Sequence, residues 1–521
     1  KKIMESNEWK KAAQKKELKE GVPIQVVVDE KKILLVSVKG EIHACGNECS
    51  HYQGTLTDGV LSGSVVTCPL HNARFDIDTG QMVSAPALNN LPVYETMVKD
   101  GEVYVRKAGS NIIPMPEGKD GRTFLIIGAG ASGNAAAEML RRKGFAGKIV
   151  MVTSDTDLPY DRTMLSKDFL SGEAPAKWLP LHGEKFYNRL QIEMLTGHTV
   201  RSLDPEKRIV SFQNGKTLTG DKLLIATGGV PRKLNIKGAD LQGCHYLRTL
   251  RDCQNIIADI EGAKQAVVVG ASFIGLEVAA SLRHRELSVH VVAPEKIPLA
   301  AVFGERIGTR VQKMHQENEV QFHLGHTVKE VLGNARVNEV VLDDSSRIKA
   351  DLIVVGVGII PAVDFLDESG LVENGAVPVD PHFQTKAEDI YACGDIALVP
   401  DPGNGASRRV EHWVEAERQG QHAARCMLGE TGKYGEVPFF WTRQFGTSFK
   451  YVGYAAHFDK VVFRGNMEEK RFVAGYYENN ILRAVSGIGK AKDIILLGER
   501  IKEGKNIDPS KFQDTSIDLG Q

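Results

Sequence analysis

Two stretches of one design dominate what this chain can fold into. TFLIIGAGASGNAAAEMLRRKG, Thr123 to Gly144, reads as an uninterrupted apolar strand, a glycine turn and a helix pattern stopped by Gly144. About 140 residues later AVVVGASFIGLEVAASLRHR, from Ala266, repeats the arrangement. A strand that is apolar throughout must be covered on both faces, and a strand-turn-helix unit brings its own cover. Two such units in 521 residues imply two α/β domains. At roughly 100 to 200 residues per domain, there is room for further domains on either side. The 52 glycines are about 10% of the chain, above the usual ~7%, and this excess calls for glycine turns rather than disorder.

The turns themselves are dinucleotide-binding patterns. In GAGASG, Gly128 allows the tight turn, Gly130 lets backbone approach a pyrophosphate and Gly133 lets helix and strand pack closely. Free N–H groups at the helix start then face phosphate oxygens. The following strand, KIVMVTSD, lacks the usual terminal Glu, so a ribose contact passes to Ser154 or Asp155, or is absent. The second turn, GASFIG, keeps Gly270 and Gly275 but has Ser272 at the middle position, which holds a pyrophosphate slightly farther away. Its next strand, SVHVVAPEK, carries Glu295 just beyond its end, with no arginine cluster. A carboxylate there accepts from a ribose 2'-hydroxyl and repels a 2'-phosphate, favouring NADH over NADPH, an inference that the adjacent Lys296 limits.

Before these units the style is different. PIQVVVD, KILLVSV, SVVTC and EVYVRK are short β-like runs separated by Gly and Asp turns. Among them lie Cys49-Ser-His51 and Cys68-Pro-Leu-His71, two mixed pairs separated by 16 residues. Each pair fits on one tight loop. Two thiolates on one iron and two imidazoles on the other make the Cys₂His₂ ligation of a Rieske [2Fe-2S] centre, whose potential lies above that of an all-cysteine cluster. Zinc also takes Cys₂His₂ sets, but finger spacing pairs Cys with Cys and His with His. Cys45 and Cys393 have no assigned chemistry, and seven cysteines in all make a poor disulfide framework.

Charge and hydropathy exclude other classes. A formal net charge of −1 supplies no field for a polyanion, so nucleic acid is not an expected partner. No run of eighteen apolar residues occurs, so no membrane insertion is expected. Lys1 opens the chain, leaving a removed targeting segment and the choice between a cytoplasmic and a mitochondrial home open.

HACGNECSHYQGTL and VVTCPLHNARFDIDTGQ resemble Rieske domains of the soluble type, with Gly54 and Leu70 where membrane-complex members carry a disulfide. LPYDRTMLSK, LLIATGG and QTKAEDIYACGD, together with the second glycine unit, resemble the two-dinucleotide FAD/NAD(P)H flavoproteins of the pyridine nucleotide-disulfide oxidoreductase superfamily. Within it they are similar to the branch of ferredoxin reductases and apoptosis-inducing factors, and the whole chain resembles Rieske-containing apoptosis-inducing factor 3-like oxidoreductases. That resemblance implies FAD. It places Arg162 near the FAD phosphates, Lys167 near the flavin ring, Thr227 and Gly228 at a turn beside FAD, and Gly394 and Asp395 at its ribityl chain. It makes His412 and Trp413 candidates to border the ring, or alternatively domain-interface residues, and Trp441 an aromatic wall from the C-terminal domain. Thr163 stands where a proline usually follows the arginine. No CxxC lies in the flavin domain, so the dithiol relay of glutathione-reductase-like members is absent.

The expected plan is a multidomain chain. An all-β Rieske domain (1–108) and a linker (109–121) precede a glutathione-reductase-like α/β body. In that body an FAD domain in two parts (122–247 and 365–430) brackets an NAD(P)H domain (248–364), and a C-terminal α+β interface domain (431–521) closes the chain. The expected function is an oxidoreductase carrying electrons from NADH through FAD to the [2Fe-2S] cluster and on to an acceptor, such as a small redox protein, with a homodimer an open option. Two other readings stand beside it. One is an NADH oxidase or ferredoxin reductase whose Rieske domain docks or senses, and the other a redox-gated interaction protein resembling apoptosis-inducing factor.

Overall fold

The computed structural model describes residues 8–108, 112–401 and 405–519. Residues 109–111 of the expected linker, with residues 1–7, 402–404 and 520–521 of the expected domains, lie outside the described residues.

The N-terminal region is all β. A six-stranded antiparallel sheet runs in the order Lys10–Gln14, Glu102–Ala108, Val93–Lys99, Glu41–Gly46, Lys31–Val38, Ile24–Val28. Leu34 and Val36 enter one apolar core and Ile33 and Leu35 another, all fully buried, because alternate side chains of a strand face opposite ways. A second sheet is built of Val60–Ser62, Val65–Thr67, Arg74–Asp76 and Met82–Ser84. The Cys49 loop follows strand Glu41–Gly46, and the Cys68 loop joins the two middle strands of the second sheet.

Thr123–Ile127 is the middle strand of a five-stranded parallel sheet, order Ile192–Leu195, Lys148–Val152, Thr123–Ile127, Lys222–Ile225, Ile390–Ala392. The last strand comes from far down the chain because another parallel sheet intervenes, order Cys244–Tyr246, Leu352–Val355, Gln265–Val269, Ser288–Ala293, Val320–Leu324. Outgoing and returning chain pair side by side as Gly229–Pro231 and Ile359–Pro361, making a two-stranded neck. Helices Ala131–Arg142 (α1) and Phe273–His284 (α2) follow the two glycine turns. Helix Trp413–Met427 (α3) crosses α1 at Gly420, where a Cβ would lie 2.0 Å from the Ser132 carbonyl oxygen. Only glycine permits that crossing.

The C-terminal part is a five-stranded antiparallel sheet, order Phe439–Gln444, Thr447–Gly453, Ile481–Ile488, Arg471–Glu478, Lys460–Asn466, followed by helices Ala491–Lys502 and Pro509–Gln513. The fold class read from the sequence is therefore the one observed. Among the described residues no helix is long and apolar enough to cross a membrane.

Polar contacts fasten the N-terminal domain to the rest. The buried Arg418 of α3 donates to the Asn72 carbonyl at 3.0 Å. Arg74 donates to Glu436 and Glu499, both at 3.1 Å, and the Ala85 N–H donates to Gln421 at 3.2 Å.

Candidate redox site

The two Cys/His loops are copies of one backbone design. The Cys49 N–H donates to the Gly54 carbonyl at 2.9 Å and the Gln53 N–H returns to the Cys49 carbonyl at 2.9 Å; Cys68 pairs likewise with Ala73 at 2.8 Å and Asn72 at 3.2 Å. Each loop turns through a left-handed residue at the same offset, Gln53 (φ 53°) and Asn72 (φ 63°). In each, the N–H groups two and three residues on point back at the sulfur: His51 and Tyr52 at Cys49, Leu70 and His71 at Cys68. Such donors stabilise a thiolate. The loops meet at Gly54, where a Cβ would stand 2.8 Å from Leu70 and 3.0 Å from the Cys68 sulfur.

The four side chains separate by type. Cys49 and Cys68 are buried and hydrogen-bond each other; that bond raises the Cys49 pKa and lowers that of Cys68. His51 Nδ1 and His71 Nδ1 face each other at 3.1 Å. Burial pushes His51 down to about 4 and His71 well below its ordinary value, so both imidazoles are neutral at pH 7, the state that ligates metal. Paired thiols opposite paired Nδ1 atoms, with N–H groups already aimed at the sulfurs, fit a [2Fe-2S] cluster.

The dinucleotide turns have the shape their glycines imply. A Cβ on Gly128 would lie 2.2 Å from the Ala226 carbonyl oxygen and one on Gly133 1.9 Å from the Gly128 carbonyl oxygen, whereas Gly130 faces open space. Gly270 and Gly275 are equally constrained, with approaches of 2.4 and 2.1 Å, and Ser272 donates its hydroxyl to the Gly356 carbonyl at 2.8 Å. Beside the first turn, Arg162 lies 3.8 Å from Asp155, and Arg248 donates to Asp395 at 2.9 Å. Burial and then the neighbouring Arg248 lower the Arg162 pKa, so two cations face each other there. The buried Arg248 Nε has no hydrogen-bond partner among the described residues. Paired cations, an orphaned donor and an open Gly130 fit a dinucleotide diphosphate. Asp155 is taken by the Tyr160 hydroxyl at 2.7 Å, and Ser154 is exposed. Thr227 donates to the Ala362 carbonyl at 2.8 Å, and Gly228 (φ 68°) accepts from the Ala362 N–H at 2.9 Å. Gly394 (φ 79°) donates its N–H to the Gln419 side-chain oxygen at 2.9 Å. Glu295 is exposed past the end of Ser288–Ala293.

Lys167 is held by a carboxylate that sequence reasoning missed. Its Nζ lies 2.9 Å from Glu277 of α2, and Glu277 also accepts from Ser166 and Thr442, both at 2.6 Å. A lone Glu between the fully buried Leu276 and Val278 was the available signal.

Strand Phe439–Gln444 partitions the site by simple alternation. Its even positions face α2, α3 and their neighbours: Phe440 stacks on the His412 ring at 4.1 Å, Thr442 reaches Glu277 and Gln444 pairs with His315 at 2.8 Å. Of its odd positions, Phe439 joins the C-terminal core, and Trp441 and Arg443 face the Cys/His loops. Trp441 packs on the His71 ring at 4.2 Å, so this aromatic wall stands against an imidazole of the N-terminal domain, and Arg443 acts on His71 and Tyr52. Lys450, cross-strand from Trp441, places its charge near Cys68. His412, at the start of α3, is lowered to about 4 by burial and so is neutral at pH 7. Trp413 packs into the C-terminal core and hydrogen-bonds Glu417.

The two sites adjoin. The Tyr52 hydroxyl donates to Asp161 at 3.1 Å, and His51 Nε2 lies 3.9 Å from the same carboxylate, which immediately precedes Arg162. The Lys167 charge reaches His71.

Residues 122–420 match the pyridine nucleotide-disulphide oxidoreductase family, which is more than half of the chain. The chain belongs to this family. Residues 8–95 match the Rieske [2Fe-2S] domain and residues 439–521 the reductase C-terminal family. Apoptosis-inducing factor 3 of Homo sapiens is 36% identical over 509 residues, covering 94% of this chain and 84% of that protein. A ferredoxin–NAD(P)(+) reductase of Sphingomonas sp is 33% identical over 73% of this chain and 92% of its own length. Among solved structures, a ferredoxin reductase from Rhodopseudomonas palustris superposes with a TM-score of 0.74 at 32% identity, over 76% of this chain and 98% of that one. This family member is a flavoprotein oxidoreductase using NAD(P)H and carrying a Rieske [2Fe-2S] domain.

Proposed function

We propose that the chain passes electrons from NADH through FAD to a Rieske cluster held by Cys49, His51, Cys68 and His71, and on to an external one-electron acceptor such as a small redox protein. When bound, FAD supplies the conversion of a two-electron hydride into single electrons that a [2Fe-2S] cluster can take. The observation that carries this reading is the contact between imidazole pair and flavin side: His51 and Tyr52 on Asp161, His71 on Trp441 and within the field of Lys167. A solved relative, 27% identical, is a putidaredoxin reductase in covalent complex with putidaredoxin. In this chain a cluster domain is already seated on the reductase body.

The residues divide the work accordingly. Residues 122–247 and 365–430 form the FAD unit, where Gly128, Gly130, Gly133 and Arg162 receive the diphosphate and Asp395 the ribityl chain. Lys167, oriented by Glu277, places positive charge where the reduced ring becomes anionic. Neutral His412, with Phe440 stacked on it, closes the site without adding charge, while Trp413 anchors the start of α3 to the C-terminal domain. Residues 248–364 receive NADH through Gly270, Ser272 and Gly275, with Glu295 selecting against a 2'-phosphate. Residues 1–108 are the exit, and residues 431–521 bring Trp441 and Lys450 against the cluster loops. His71→Ala tests the division: anaerobic stopped flow should show NADH-dependent bleaching of FAD at nearly the wild-type rate while reduction of a protein acceptor collapses. An acceptor rate that survives cluster loss makes the Rieske domain a docking or sensing module.

A further inference from the structure

Among the described residues outside the redox site, two more groups of metal-binding side chains converge: the largely exposed His326, Asp343 and Asp344, and the more buried His382, His422 and Cys426, which alone includes a sulfur. His422 and Cys426 lie one helical turn apart on α3, and His382 approaches from the loop before Ile390–Ala392. Their ligand atoms all lie within 4.8 Å of one another. A tetrahedral zinc ion with Zn–S of about 2.3 Å and Zn–N of about 2.0 Å needs separations of roughly 3.3 to 3.5 Å, within reach of side-chain rotation.

The hydrogen bonding around these groups is that of a ligand set. His382 Nδ1 is 3.1 Å from the Gly432 carbonyl, to which it must donate, and this leaves the His382 Nε2 lone pair free. The Gly432 backbone also hydrogen-bonds His422, while His422 Nε2 is buried with no hydrogen-bond partner among the described residues. A carbonyl that fixes the imidazole tautomer from behind is the usual support of a metal-bound histidine. Cys426 is 5% exposed and is a free thiol. Asp380 and Glu430 place negative charge near it, opposed by Arg425. Phe383 and Tyr434 wall the His422 ring at 5.7 and 5.3 Å, which keeps bulk water from one side.

We propose that His382, His422 and Cys426 bind one zinc ion, with a water molecule or a nearby carboxylate in the fourth position. Zn²⁺ joins two neutral imidazoles and one thiolate, and the thiol proton leaves to solvent. The ion would staple three segments: the end of α3, the His382 loop, and residues 429–434, where the chain leaves the flavin body for the C-terminal sheet. This role is independent of the proposed electron path.

The test uses the purified holoprotein, stripped with EDTA and titrated with ZnCl₂ against a competing chelator, with zinc K-edge absorption on the product. One zinc per chain, surrounded by one sulfur and two imidazoles, is expected. A cluster loop that has lost iron and taken zinc would instead show two sulfurs. Cys426→Ser and the loop variant His382→Gln should each weaken zinc binding at least about 10- to 100-fold, with iron content and bound FAD unchanged. Binding equal in wild type and both variants, or a zinc environment without sulfur, overturns the proposal.

Discussion

Glu436→Gln removes a carboxylate at the seam between the Rieske domain and the reductase body. Its oxygens accept from Arg74 at 3.1 Å and Lys502 at 2.9 Å, and Arg418 adds its charge. Burial pushes the carboxyl up, but Arg74, Arg418 and Lys502 outweigh it and hold the pKa at about 2, against 4.5 for a free side chain. At about 1.4 kcal/mol per unit this is roughly 3 kcal/mol, and a side chain still 26% exposed is screened enough to bring the figure to about 2 kcal/mol. The folded-state pKa lies below the unfolded value. The contribution is therefore complete above about pH 4.5 and is lost as pH falls toward 2. Hydrogen exchange followed by mass spectrometry at pH 7 should show peptides spanning Asn72–Asp76 opening about 10- to 30-fold faster in the variant. The difference from wild type should narrow at pH 3.5. Exchange unchanged at this seam, or accelerated equally throughout the chain, would refute the electrostatic latch.

Cys49→Ala should abolish iron and sulfide binding while FAD stays bound, since none of the residues assigned to the flavin lies in the cluster loops; metal and flavin analysis of one preparation checks both. Gly133→Ala puts a Cβ 1.9 Å from the Gly128 carbonyl oxygen, and the forced separation of strand and helix should cost at least tenfold in FAD retention, measured by flavin release on dilution. Glu295→Gln should narrow the preference for NADH over NADPH without reversing it, because an exposed charge is screened; a wild type with higher kcat/KM for NADPH would sink that assignment.

Much of the fold was legible because its signals are local. The apolar strand running into glycines at Thr123 and again at Ala266 announces both parallel sheets, and the spacing of Cys49, His51, Cys68 and His71 carries the cluster site within two short loops. Residues that act across elements were not legible. Glu277 reaches Lys167 from 110 positions away; Arg248 reaches Asp395 across the neck; Lys450 approaches Cys68 from the last domain. Each is a charge whose partner lies on another domain, so no local periodicity marks it. Trp441 was visible as an aromatic from the C-terminal domain, but its alternation with Phe440 and Thr442 acquires meaning only once the strand is seen between two sites.

The relay is tested most directly by mixing the anaerobic holoprotein with one equivalent of NADH and following it by stopped-flow absorbance and rapid-freeze EPR in parallel. FAD bleaching should come first, and the EPR signal of a reduced His-ligated [2Fe-2S] cluster should then grow at the rate at which flavin reoxidises. A cluster that stays oxidised while FAD is fully reduced and NADH continues to be consumed would contradict electron passage from flavin to Rieske domain.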